Sequence, residues 1–279
     1  MADISAKDVA ALRKATGAGM MDCKKALVET DGDMEAATTW LREKGLSGAA
    51  KRAGREASDG AVEVLVDGNV GVIVEVNCET DFVAKGDDFV NFVGELAQLA
   101  LTSPADDFAG VAHEGGTVED TVKALGAKVG ENVSLGRIVR IETDGIVDGY
   151  KHVQNDRGVI GVLVELGGVD SSNAEARQVA HDLALHIASA APRWLAREDV
   201  PADVVAAERE ILENLSRNEG KPEQALPKIV EGRIEGFYKD NVLLEQAFVR
   251  DTKKSVASLV EALGGAEVKG FARVKVGEG

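Results

Sequence analysis

The sequence predicts an α+β protein: an N-terminal three-helix domain, then a duplicated core of antiparallel sheets with helices on one face, with a helical hairpin inserted in the second copy. Three observations predict it. Apolar residues recur at helical spacing over residues 4–45, the period turns strand-like after residue 58, and the strand–helix pattern that follows occurs twice.

Ser5 followed three residues later by Asp8 is a capping-box pattern, and Val9 and Leu12 then face one side. Thr16-Gly17-Ala18-Gly19 breaks this first helix, because glycine tolerates backbone conformations that other residues avoid. Met20 to Glu29 forms a second helix. Asp31-Gly32-Asp33 turns the chain, with Asp33 as cap, and Met34, Ala37, Trp40 and Leu41 give a third helix its buried stripe up to Gly45. Residues 46–58, rich in Ala, Lys, Arg and Gly, read as a basic connector.

Ala61 to Val66 is strand-like, Asp67-Gly68-Asn69 is a hairpin turn, and Val70 to Val76 is a second, largely apolar strand. Phe89, Phe92, Val93, Leu96 and Leu99 return to helical spacing. Residues 103–117 read as a loop, 118–128 as a helix and Val133 to Ile141 as a strand. The second copy echoes the first. Asp59-Gly60-Ala61-Val62 matches Asp144-Gly145-Ile146-Val147, and Gly71 to Val76 matches Gly161 to Leu166. Gly130-Glu131-Asn132-Val133 matches Gly265-Ala266-Glu267-Val268, and Arg137 to Ile141 matches Ala272 to Val276. Each half runs hairpin, helix, helix, closing strand; two copies indicate a duplication rather than a solenoid. The second copy carries extra material: Pro192 ends a helix containing Val179, Leu183 and Ile187. Val204, Ile211, Leu212 and Leu215 form one apolar stripe, and Leu226, Ile229, Val230 and Phe237 form another across the break at Asn218 to Pro222. This pair reads equally as a packed subdomain or as a contact arm.

With 279 residues and 44% apolar content the chain can build two or three domains. A net charge of −16 excludes direct nucleic-acid binding by a broad basic surface and suits a partner carrying basic patches. The two cysteines, Cys23 and Cys78, make no disulfide framework and fit a reduced, cytoplasmic setting as packing residues. No signal peptide and no apolar run of about 20 residues is present, so no membrane association is expected. His181 and His186 are five apart, the wrong spacing for a helical metal pair, and neither a nucleophile elbow nor a Walker-type loop occurs. No catalytic residue, metal or cofactor is expected.

The unusual local feature is Asn77-Cys78-Glu79-Thr80-Asp81-Phe82-Val83-Ala84-Lys85, where an apolar strand stops at a polar patch and an aromatic follows an acid. Such strand-to-helix connections often carry function. Two readings stay open. Phe82 precedes Phe89 by seven residues, so an unbroken helix would point both at the core, and composition tilts that way. Gly86-Asp87-Asp88 argues against an unbroken helix.

Thr16-Gly17-Ala18-Gly19-Met20-Met21-Asp22-Cys23-Lys24-Lys25-Ala26-Leu27 resembles the N-terminal signature of the bacterial-type elongation factor Ts family, and Glu75 to Lys85 resembles its second signature. Lys128-Val129-Gly130-Glu131-Asn132 and Phe271 to Gly279 are similar in kind and order, so the resemblance covers nearly the whole chain. It implies a ubiquitin-associated-type (UBA-like) domain with its connector at 1–56, a core subdomain at 57–142, and a second at 143–279 with a coiled-coil insertion at about 193–238. It also implies the function: a guanine-nucleotide exchange factor, not an enzyme. The expected partner is elongation factor Tu, GDP-bound and nucleotide-free, whose magnesium and phosphate site it disturbs. By the same resemblance Thr80, Asp81, Phe82 and Val83 dislocate the magnesium, with Phe82 as wedge. Met20, Lys24, Arg52, Val129, Gly130 and His152 are further partner contacts, and the helical insertion is a candidate homodimer arm. Some members continue past the position of Gly279 with a C-terminal helical module, from which no contact is expected here. The competing expectation is a ubiquitin-associated-type adaptor without exchange activity.

Overall fold

The computed structural model describes residues 4–48, 52 and 54–278. The connector expected at 46–58 thus lies partly outside the described residues. Helices α1 (Ala6–Thr16), α2 (Met20–Glu29) and α3 (Met34–Glu43) enclose a small core of Val9, Leu12, Cys23, Ala26, Leu27, Ala37 and Leu41. The Ser5–Asp8 capping box closes in both directions, and Gly17 takes the left-handed φ of 63° that ends α1. The α3 stripe is narrower than its spacing predicts. Ala37 and Leu41 are buried, but Met34 is exposed and Trp40 half-buried, its ring sharing the Lys25 and Lys44 ammonium groups at 5.9 Å. A core this small takes only the two residues nearest its centre.

The chain then builds two three-stranded antiparallel sheets. The first has strands β1 (Asp59–Asp67) and β2 (Val70–Cys78), and continues through helices α4 (Asp81–Ala84), α5 (Asp87–Leu101) and α6 (Val118–Val129) to β3 (Ser134–Glu142), in the order β1-β2-β3. The second has β4 (Ile146–Gln154), β5 (Arg157–Gly167), helix α7 (Ala174–Ala190), the pair α8 (Ala202–Asn218) and α9 (Leu226–Asn241), helix α10 (Val256–Glu261) and β6 (Glu267–Lys275), in the order β4-β5-β6. Residues 103–117 hold more structure than the expected loop. Phe108 is buried under a short 3-10 turn, and Ala112–His113 pairs with Gly116–Thr117.

Alternation sorts the side chains of each central strand. Val72, Val74 and Val76 of β2 pack on Phe89, Val93 and Leu96 of α5, while Ile73 faces the other way. On β5, Val162, Val164 and Leu166 meet α7, while Leu163 faces Ile73, Val62, Val147 and Val274. Each sheet therefore carries helices on one face and presses the other face against its counterpart. Both central strands are buried on both sides, and this explains their nearly continuous apolar runs, each interrupted by a single glutamate, Glu75 and Glu165.

Register relates the halves. Ala61 lies opposite Val76, and Ile146 opposite Leu166, as the sequence echo requires. Each closing strand inserts one extra residue at the same place: β3 between its pairings with Val76 and Val74, β6 between its pairings with Leu166 and Glu165. The expected echo of the closing strands is, however, two residues out. Ile141 pairs with Gly71 and Val274 with Gly161, so Ile141 corresponds to Val274 rather than Val276. A slip of two leaves every side chain on its own face, so apolar alternation could not detect it.

Helices α8 and α9 form an antiparallel hairpin held differently from the stripes predicted. Ile211 and Leu215 point to solvent, and on α8 only Ser216 is fully buried. The contact to Leu226, Val230 and Ile234 of α9 is supplemented by Arg209–Glu231 at 2.7 Å and Arg233–Glu219 at 2.6 Å. At its base Arg193 and Trp194 donate backbone N–H bonds to Asn241, so the hairpin leaves and re-enters the core at one point.

His186 of α7 is fully buried. Its Nδ1 accepts the Val249 N–H at 3.3 Å and its Nε2 donates to Gln246 Oε1 at 2.9 Å, while Gln246 Nε2 donates to the Asp240 carbonyl. These partners fix the neutral ring, and burial holds its pKa below the ordinary 6.5. A depressed folded-state value means the unfolded chain takes up the proton first. This stabilisation is therefore complete above about pH 6.5 and is lost as pH falls towards the folded-state value. Thermal melts at pH 7.5 and 5.5 are expected to show a smaller loss for His186→Gln than for the parent; equal losses would contradict the assignment.

Candidate functional site

At the end of β2 the chain leaves the sheet with nothing left to pair on its β3 side, because the ladder ends at Asn77–Ser134. Cys78 is buried, and its thiol donates to the Thr80 carbonyl at 3.3 Å. Thr80 then caps the short helix α4, its hydroxyl accepting from Val83 N–H at 3.4 Å. Ala84 is buried and half-buried Val83 packs on the first sheet's core, so α4 is pinned by its inner side. Its outer side carries Phe82, which is 76% exposed. Gly86 restarts the chain as α5, so Phe82 and Phe89 do not share a helix face. The leaning toward core packing is thereby corrected: the break at Gly86-Asp87 releases the first ring into solvent.

Two carboxylates fix this tip. Glu131, just beyond α6, accepts Glu79 N–H at 3.0 Å, Thr80 N–H at 3.1 Å and the Thr80 hydroxyl at 2.6 Å. Glu79 in return accepts Asn132 N–H at 2.6 Å and pairs with Arg55 at 3.3 Å. From the other half, Arg157 at the start of β5 pairs with Asp59 at 2.6 Å and donates to the Asp81 carbonyl at 3.4 Å. Lys85 reaches both Asp81, at 3.5 Å, and the face of Phe82, at 5.7 Å.

The structure thus brings Thr80, Asp81, Phe82 and Val83 together with the turn containing Val129 and Gly130, where Gly130 takes φ 82°. His152 lies on the β4–β5 hairpin that supplies Arg157; it is exposed and within 3.2 Å of the Tyr150 hydroxyl. Met20 and Lys24 belong to a separate surface. Met20 and Met21 are 58% and 73% exposed beside a groove of about 740 Å³ shared with Ile4, Val9 and Arg13. The Arg52 guanidinium lies against Gly17, and Arg52 lines a cleft of about 760 Å³ with Glu131 and Asn132. Glu79, Glu131, Arg55 and Arg157 were not singled out from the sequence. Glu131 stood inside a recognised motif, but side-chain-to-backbone bonds spanning more than fifty residues leave no local pattern.

This arrangement has little to offer bond chemistry. Burial, reinforced by the Glu131 charge, pushes the Cys78 thiol up to about 12, so it stays protonated and inert. Among the described residues no group of three or more His, Cys, Asp or Glu side chains could hold a metal ion, and no helix is long and apolar enough to cross a membrane. What the site presents is an aromatic on a braced support. Fold and site define a protein that acts by contact with another macromolecule.

The chain matches two family models, "Elongation factor TS" over residues 79–278 and "Elongation factor Ts, mitochondrial, N-terminal" over residues 2–49. It is 48% identical to elongation factor Ts of Micrococcus luteus over 282 aligned residues, covering 99% of this chain and 100% of that protein. The same protein of Acidothermus cellulolyticus is 48% identical with full coverage of both chains, and that of Streptomyces coelicolor is 49% identical over 99% of this chain and 100% of its own. The chain belongs to the elongation factor Ts family. It is accordingly a non-enzymatic nucleotide exchange factor for elongation factor Tu in translation elongation.

Proposed function

We propose that the protein binds elongation factor Tu in its GDP form through the Phe82 tip, with Thr80, Asp81 and Val83 shaping the contact, and so disturbs the magnesium and phosphate site until GDP leaves. Met20, Lys24, Arg52, Val129, Gly130 and His152 extend the interface. Residues 1–56 act as a UBA-like docking domain, 57–142 and 143–279 as two copies of one ancestral core unit, and the protein works in the cytoplasm. The observation that supports the tip reading most is the exposure of a whole Phe ring on a helix braced from three directions. An aromatic held in water gains its burial only when a partner covers it.

Linkage sets the terms. If the factor weakens GDP binding, GDP weakens the factor's binding by the same ratio. Nucleotide held at nanomolar strength corresponds to about 12 kcal/mol. Burying one Phe contributes only about 2–3 kcal/mol, so an interface extending over both core halves and the three-helix unit must supply the rest. Magnesium is a sensitive target because it offsets phosphate charge. The deciding measurement is stopped-flow release of fluorescent GDP from elongation factor Tu with and without this protein; an unchanged rate would refute the reading.

The α8–α9 hairpin lies apart from the tip in this scheme and serves as a homodimer arm. Replacing residues 201–238 by a short linker is expected to retain most of the exchange activity and to lower the mass seen by light scattering. Residues 193–194 and 241 already lie together, so the cut leaves the core closed. An unaltered mass would remove the dimer role.

A further inference from the structure

We propose that Glu131 is a positioning residue for exchange: its carboxylate sets the direction in which Phe82 leaves the body of the protein. The proposal rests on the reading of Phe82 as the wedge.

The need arises where β2 ends. Beyond Asn77 the backbone N–H groups of Glu79 and Thr80 have no strand to pair with. One Glu131 oxygen accepts both, at 3.0 and 3.1 Å, and the other accepts the Thr80 hydroxyl at 2.6 Å. A single carboxylate thus orients two consecutive peptide planes and one side chain. Because the Thr80 hydroxyl gives its proton to Glu131, its lone pair is left to receive Val83 N–H, and this cap starts α4. The chain of bonds runs from Glu131 through Thr80 to the first turn of α4, whose second residue is Phe82. The return bond from Asn132 N–H to Glu79, at 2.6 Å, keeps the Glu131 segment in register with the tip.

The second half of the molecule is an internal control. Leu135 pairs with Val76 as Val268 pairs with Leu166. Glu131 stands four residues before Leu135, and the residue four before Val268 is Gly264, which has no side chain. There the corresponding turn closes by backbone packing of Gly168 against the Gly265 carbonyl. No carboxylate is needed to end the central strand of this fold. The clamp occurs in the half that carries an exposed aromatic after that strand and is missing from the half that does not.

The test measures stopped-flow release of fluorescent GDP from elongation factor Tu at saturating concentrations of the parent protein, Glu131→Ala, Phe82→Ala and the double variant. Glu131→Ala is expected to slow saturated release about tenfold while melting close to the parent, because an aromatic that wanders misses its target in most encounters. Glu131→Gln, which keeps an acceptor oxygen, is expected to recover part of the rate. The double variant is expected to match Phe82→Ala alone, since a residue acting through Phe82 has nothing left to position. A saturated rate for Glu131→Ala within about twofold of the parent, or effects that multiply in the double variant, overturns the proposal. Should Phe82→Ala leave release unchanged, the wedge reading itself fails, an outcome distinct from a normal Glu131→Ala beside a slow Phe82→Ala. If Glu131→Ala does not fold, Thr80→Val takes its place by removing only the 2.6 Å contact and the cap, and an unchanged rate there overturns the proposal as well.

Discussion

Phe82→Ala is expected to slow GDP release from elongation factor Tu by roughly ten- to a hundredfold while leaving the melting temperature unaltered. The upper figure follows from burial. Covering one Phe side chain is worth about 2–3 kcal/mol, and each 1.4 kcal/mol is about a factor of ten in rate if the contact forms only as the nucleotide site opens. The lower figure allows for part of the contact persisting in the ground state. Stability should not respond, because the ring is 76% exposed, with the Lys85 ammonium over its face at 5.7 Å. Surface substitutions of that kind stay within about 0.5 kcal/mol. Stopped-flow release and a thermal melt on the same preparation test both halves. A normal release rate would remove the wedge, and a lowered melting temperature would mean that the ring packs on its own domain.

The same residue shows what the sequence carried and what it withheld. Helical spacing placed Phe82 and Phe89 on one face, and only the weaker signal at Gly86-Asp87-Asp88 stood against it. The structure follows the weaker signal, because the break lets Gly86 start a fresh helix at Asp87. The three N-terminal helices, both hairpins and the long helices after them were legible, since each is fixed by local caps, turns and apolar period. The face-to-face packing of the two sheets was not. Its trace was the run Val72 to Val76, apolar on both faces except at Glu75, and that one carboxylate is still only 3% exposed and paired with Arg137. The two-residue slip of the closing strands escaped because it preserves facing. The Glu131 clamp escaped because it joins side chain to backbone across two elements. Period and turn chemistry report what a segment becomes; they say little about which distant segment holds it.

The joint between the sheets is where the next largest effect is expected, at Gly158. A Cβ there would collide with the Val62 carbonyl oxygen on β1, and would lie 3.0 Å from the Lys151 side chain. The carbonyl cannot yield alone. It belongs to a strand tied to the second half by Lys151–Glu63 at 2.6 Å and Arg157–Asp59 at 2.6 Å. Gly158→Ala must therefore push β1 and β5 apart, at an overpacking cost of about 1–3 kcal/mol. For a protein of this size the melting temperature should fall by roughly 2–12 °C, as each kcal/mol is worth about 2–4 °C. Gly236→Ala supplies the control. Gly236 is exposed in the middle of α9 and a Cβ there meets nothing within 4 Å, so the change should raise stability by up to about 1 kcal/mol through helix propensity. A glycine swap that acted only through unfolded-chain entropy would stabilise at both sites, so opposite signs isolate the close approach. Exchange should respond in parallel. Arg157 is the residue just before Gly158 on β5 and carries the bond from the second half to the Asp81 carbonyl, so parting the sheets loosens the support of Phe82. Slowed release by Gly158→Ala below its melting point, with normal release by Gly236→Ala, is the expected pair. Normal release by both would show that the tip is steadied from its own half alone.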